Sequence, residues 1–154
     1  TLFGISIISM SLGTSTTYSS DCDSVSSAFT NAVNNAIANN ITVIAASGNG
    51  GISSGISSPA CITNVTSVGS VDKDDSMSSF TNRGNLLDLL APGGSINSTS
   101  YTGDYEVKSG TSMSAPNVVG AVALLRQYYS DTNQTVSISD TIQQLKDYGK
   151  RIFD

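Results

Sequence analysis

The order of the first three apolar segments limits the fold more than any other feature of the chain. Residues Ile5 to Leu12 form a short run rich in β-branched side chains and closed by Gly13, which suits a strand buried on both faces. Asp21-Cys22-Asp23-Ser24 then offers several helix N-caps. Behind it Val25, Ala28, Phe29, Ala32, Val33, Ala36 and Ile37 recur at spacings of three and four, the pattern of an amphipathic helix. A second buried strand, Thr42 to Ala46, follows within a few residues. Strand, helix and strand in that order require a right-handed crossover between parallel strands, so the chain belongs to the α/β class with a mostly parallel sheet.

The remaining segments extend this plan. After a Gly/Ser-rich loop from Gly48 to Ser58, Val65 to Val71 reads as a third strand. Leu86 to Ala91 reads as a fourth, stopped by Pro92-Gly93-Gly94. From Ala115 to Leu125 the chain is apolar on nearly every side, which predicts a helix buried in the middle of the fold, its first turn holding Ser112 and Pro116. A last helix is expected from an N-cap at Ser139 through Ile142, Leu145 and Tyr148, with Gly149 at its C-terminal end. No repeat or linker interrupts the sequence. With 154 residues, one unit spanning 1–154 is expected.

Composition narrows the partners. Charged residues are only 12% of the chain, but the hydrophobic fraction is 38%, so low charge here does not signal disorder. The 28 Ser, 15 Thr and 12 Asn residues can satisfy backbone groups in turns and caps without adding charge. A net charge of -5 with Lys and Arg scattered, apart from the adjacent Lys150 and Arg151, leaves no basic stripe for a nucleic acid. No stretch reaches the ~20 apolar residues that span a bilayer, so no membrane partner is expected. The start, Thr1-Leu2-Phe3-Gly4, has no basic leader region.

With no histidine and only Cys22 and Cys61, a tetrahedral zinc site is not expected. The two cysteines are either buried thiols or a disulfide closing a loop of about 40 residues, the latter contributing roughly 3 to 4 kcal/mol. Sequons at Asn40, Asn64, Asn97 and Asn133 fit a secreted or cell-surface protein, although several would arise by chance in so Ser-, Thr- and Asn-rich a chain.

Gly110-Thr111-Ser112-Met113-Ser114-Ala115-Pro116, followed by an apolar helix, resembles the nucleophile segment of the subtilisin family, whose pattern is G-T-S-M-[AS]-x-P. Four further segments agree in order and spacing: Ser9-Met10-Ser11-Leu12-Gly13, Ala45-Ala46-Ser47-Gly48-Asn49, Ser78-Ser79-Phe80-Thr81-Asn82-Arg83-Gly84 and Asp88-Leu89-Leu90-Ala91-Pro92-Gly93. The resemblance implies a three-layer α/β fold with a mostly parallel central sheet, from which the family's N-terminal strands are missing. Residues 1–154 would then be the serine-bearing, C-terminal part of a peptidase domain.

For the parent protein the resemblance implies a serine endopeptidase acting on peptides or proteins through an acyl-enzyme at Ser112. A serine at a helix start gains the helix dipole and free backbone N–H groups beside the developing oxyanion. The second oxyanion donor would be the side-chain amide of Asn49. Ser11, Leu12 and Gly13 resemble the extended segment that pairs with a substrate backbone. Ala46, Ser47 and Gly48 resemble the opposite wall of the pocket, with Ser57 near its base. Gly48, Gly93 and Gly94 are expected in turns. Asp88 matches a family position sometimes near a weak cation, and is read here as a loop tether. No cofactor is expected, and a structural calcium in the parent is compatible with the resemblance.

The general base is the missing part. In the family's order of Asp, His and Ser, the first two precede the serine, and this chain has no histidine. Asn117 stands where the family often has one, and Asp21, Asp23 and Asp104 lie in unsuitable settings. The chain alone is therefore expected to be inactive, its base carried on preceding sequence. The alternative is a pseudoprotease or adhesion module that keeps the fold for binding. An α/β-hydrolase esterase fails on its Gly-x-Ser-x-Gly elbow, because position 114 is Ser. Missing strands would uncover a sheet edge, so self-association or a complementing N-terminal fragment is expected.

Overall fold

The computed structural model describes residues 4–152; the expectation drawn from Thr1 to Phe3 lies outside them. Four strands form one sheet, β1 (Ile7–Met10), β3 (Thr42–Ala46), β5 (Thr66–Val71) and β6 (Leu89–Pro92), in the order β1-β3-β5-β6. Every pairing in it is parallel, as the β-α-β order requires. Helix α1 (Ser27–Ala38) makes the crossover from β1 to β3, while α2 (Thr111–Asp131) and α3 (Ile138–Tyr148) follow the last strand.

The alternation of β3 sets the layers. All five of its residues are buried. Val43 and Ala45 pack on one face with Val33, Ile56, Ala60, Cys22 and Cys61, against Ala36 and Ile37 of α1. Ile44 and Ala46 pack on the other face with Val68, Ala115, Val118, Val122 and Ile142. The fold is therefore helix, parallel sheet, helices. Each aliphatic side chain fully buried in these clusters contributes about 1.5–3 kcal/mol. Cys22 and Cys61 are joined as a disulfide inside the first cluster, which resolves the two alternatives the sequence left open.

Several boundaries differ from the sequence expectation. β1 is shorter than Ile5 to Leu12, and β6 begins at Leu89 because Leu86 and Leu87 turn back: the Leu87 N–H donates to the Gly84 carbonyl. The Asp21–Ser24 cluster does not cap α1, whose N-cap is Ser26. Asp23 instead accepts from the Thr63 amide and hydroxyl. α3 starts earlier than Ser139, since Ser137 accepts from the Asp140 amide and donates to the Asp140 carboxylate, a reciprocal cap.

Two antiparallel pairs were not expected: β2 (Thr17–Tyr18) with β4 (Ile56–Ser57), and the hairpin of β7 (Ile96–Thr99) with β8 (Tyr105–Lys108). The largest correction concerns α2. It buries only one face, through Thr111, Ser114, Ala115, Val118, Val122 and Tyr129, while Leu124 is 74% exposed. Pro116, Gly120 and Ala123 are exposed as well. The covering layers in the described residues lie on one side of this helix. On the same flank β1 is an edge strand, with Ile5 and Ile8 50% and 36% exposed. Among the described residues no helix is long and apolar enough to cross a membrane.

Candidate active site

The carboxyl ends of β1 and β3, side by side through the pairing of Met10 with Ala45, point the same way and meet the start of α2. From β1 come Ser11, Leu12 and Gly13; from β3 come Ser47, Gly48 and Asn49. Gly48 has φ 106°, a conformation open to glycine at little cost, and there the chain leaves the sheet. A side chain at Gly48 would also lie 2.3 Å from Asn82 Nδ2 and 2.5 Å from Ser57 Oγ, so the position is glycine on two counts.

Asn49 caps α2. Gly110 precedes the helix without a side-chain cap of its own. The Asn49 Oδ1 instead accepts from the Thr111 backbone N–H and from the Thr111 hydroxyl, both at 2.9 Å. Both donors fix the carbonyl end of the amide toward the helix, so its Nδ2 is turned the other way. A β-carbon on Gly110 would lie 3.4 Å from Asn49 Nδ2, 3.7 Å from Asn49 Oδ1 and 3.8 Å from the Ser112 backbone nitrogen, so the amide and the start of α2 meet beside Gly110.

Ser112 sits in the first turn of α2, half-buried, and is tied to β1 in both directions. Its Oγ donates to the Ser11 carbonyl at 3.3 Å, and the Ser11 hydroxyl donates to the Ser112 carbonyl at 2.8 Å. Leu12 is 60% exposed beside them. Between the two walls lies Ser57: a β-carbon on Gly13 would approach its Cβ to 3.4 Å, and one on Gly48 its Oγ to 2.5 Å. Ala46 and Ser47 are buried, and the Ser47 hydroxyl is spent on the Asn82 carbonyl. Ala46, Ser47 and Gly48 therefore present backbone rather than polar side chains to this slot. The sequence suggested neither the hold of Thr111 on Asn49 nor the place of Asn82, since a buried Thr and Asn look like ordinary cap and turn residues.

Among the described residues the Ser112 hydroxyl donates to the Ser11 carbonyl rather than to a side-chain base, and the chain has no histidine. Asn117 donates instead to the carbonyls of Pro92 and Met113. The Asp74 carboxyl is held below its ordinary range, first by the Ser76 hydroxyl and then by the Ser76 N–H, but both partners belong to its own turn. Asp88 accepts at Oδ2 from the Ser67 amide and hydroxyl and at Oδ1 from Lys146 at 2.6 Å. Its carboxylate is thus engaged by protein donors, an ammonium among them, and does not fit a cation site.

A serine at a helix start and an amide held next to it thus lie together at the ends of parallel strands. The sequence profile of the Subtilase family matches residues 3–149, and the chain belongs to that family. It is 40% identical over 144 residues to the thermophilic serine proteinase of Bacillus sp. (strain AK1), covering 94% of this chain and 33% of that protein. It is 42% identical over 125 residues to the extracellular serine proteinase of Thermus sp. (strain Rt41A), covering 80% and 28%. Among solved structures, a cold adapted subtilisin-like serine proteinase superposes with a TM-score of 0.75 at 35% identity, covering 92% of this chain and 47% of that one. The chain thus spans half or less of the length of these relatives.

Proposed function

We propose that this chain carries the nucleophile and oxyanion portion of a serine endopeptidase of the subtilisin type. The reading rests above all on the hold of Asn49, whose Oδ1 accepts from the N–H and hydroxyl of Thr111, the residue next to Ser112, which leaves Nδ2 as the donor available near the start of α2. In the reaction the Ser112 Oγ attacks the scissile carbonyl while a base on sequence outside this chain takes its proton. The carbonyl oxygen becomes an oxyanion that accepts from the Ser112 N–H and from Asn49 Nδ2. The leaving amine departs with the proton, and water hydrolyses the ester on Ser112. No cofactor enters these steps.

The substrate is a peptide or protein chain. Its backbone pairs with Ser11-Leu12-Gly13, and the side chain before the scissile bond enters the slot between that segment and Ala46-Ser47-Gly48, floored by Ser57. Secretion is supported by the disulfide, which persists in oxidising compartments. The base-bearing segment, or failing it a second copy, covers β1 and the exposed side of α2. The test is hydrolysis of a peptide amide by the whole protein: activity abolished by Ser112→Ala and reduced in kcat by Asn49→Leu supports the reading. Unchanged hydrolysis in Ser112→Ala contradicts it.

A further inference from the structure

We infer that Asn82 is a positioning residue that holds the oxyanion amide of Asn49 and the pocket floor at Ser57 in one rigid unit; this rests on the reading of Asn49 proposed above. Asn82 is 2% exposed and lies far from Asn49 in sequence, yet every hydrogen bond it makes reaches the loops that carry Asn49 and Ser57. Its Oδ1 accepts from the backbone N–H groups of Gly50 at 2.9 Å and Ile52 at 3.1 Å. Its own N–H donates to the Gly48 carbonyl at 2.9 Å, and its carbonyl accepts from the Ser47 hydroxyl at 2.8 Å. Asn49 is therefore gripped on both sides, at Gly48 and at Gly50, by one side chain and its backbone.

The third side-chain bond extends this grip to the slot. Asn82 Nδ2 donates to Ser57 Oγ at 3.3 Å, so the floor residue and the oxyanion loop share one anchor. Neighbouring backbone bonds, from Gly51 to Phe80 and from Arg83 to Ile52, lock the two segments in register. Asn suits this position because its amide puts two acceptor lone pairs on one atom and the donor on another, so Gly50, Ile52 and Ser57 are reached at once. Loss of the side chain leaves the N–H groups of Gly50 and Ile52 without their shared acceptor, and the loop bearing Asn49 loses its hold on that side.

The experiment is a double-mutant cycle in the whole protein that supplies the base. Asn82→Ala is expected to lower kcat about ten- to a hundredfold with KM within about twofold, because the oxyanion forms only in the transition state. In an Asn49→Leu background the same change is expected to cost less than about threefold, and Asn82→Asp, which keeps the Oδ1 acceptor, recovers most of kcat. Equal losses in both backgrounds, or a loss confined to KM, overturn the inference. If the wild-type protein cleaves no peptide, the peptidase reading fails, and the positioning claim is decided by amide hydrogen exchange. Gly50 and Ile52 are then expected to be protected, to lose about tenfold or more of that protection in Asn82→Ala, and to regain it in Asn82→Asp while β3 stays protected. Wild-type amides without protection, or equal loss throughout β3, overturn it.

Discussion

Thr111 shows how much of the site depends on a single hydroxyl. It donates to Asn49 Oδ1 while accepting from the Gly48 N–H at 3.2 Å, both bonds partly buried. Thr111→Val keeps the shape and removes both bonds, and is expected to lower kcat of the whole protein about tenfold without unfolding it. Steady-state kinetics beside circular dichroism checks this. Asn49→Leu is expected to cost about a hundred- to a thousandfold in kcat, the magnitude known for the same type of donor in subtilisin. Ser114 makes the opposite case: its hydroxyl is buried without a hydrogen-bond partner, so Ser114→Ala is expected to stabilise by up to about 1 kcal/mol, read as a higher Tm. That Asn49 lies against the start of α2, bonded to Thr111 next to Ser112, was legible in the sequence because both segments stand in long motifs. Asn82 stands in such a motif too, but its partners are backbone amides, which sequence does not display.

At the scale of elements, strand and helix cores were legible because burial on two faces or one leaves a period in the sequence. Their ends were not, because side-chain bonds decide them: Ser137 with Asp140 at α3, and Asp23 with Thr63 ahead of α1. The β7–β8 hairpin escaped because β8 is wholly exposed and carries no buried stripe. The turn at Pro92-Gly93-Gly94 is set more tightly than a loop needs. A β-carbon on Gly93 would lie 2.1 Å from Ser114 Oγ and 2.5 Å from Ser70 Oγ, and the Gly93 carbonyl accepts from the Gly110 N–H ahead of α2. Gly93→Ala is expected to destabilise by about 2 to 3 kcal/mol through overpacking, measured by urea denaturation. Asp88 ties β5 and α3 to the start of β6 through Ser67 and Lys146, as the tether reading of the sequence expected.

For the whole molecule, apolar residues at Ile5, Ile8, Leu12 and Leu124 stand exposed along β1 and α2. The apolar run of α2 predicted burial all round, whereas the described residues cover the helix on one face only. Light scattering at high concentration is expected to give a mass above the 15.9 kDa of one chain; a strict monomer contradicts that expectation. Reducing the Cys22–Cys61 disulfide, which links residues 39 apart, is expected to cost roughly 3 to 4 kcal/mol of stability. The central claim is that Ser112 is correctly placed but lacks its base within this chain. Labelling with a fluorophosphonate probe tests it most directly. The account predicts negligible labelling of the 154-residue chain and rapid, Ser112-dependent labelling of the whole protein. Rapid labelling of Ser112 in the isolated chain would contradict it.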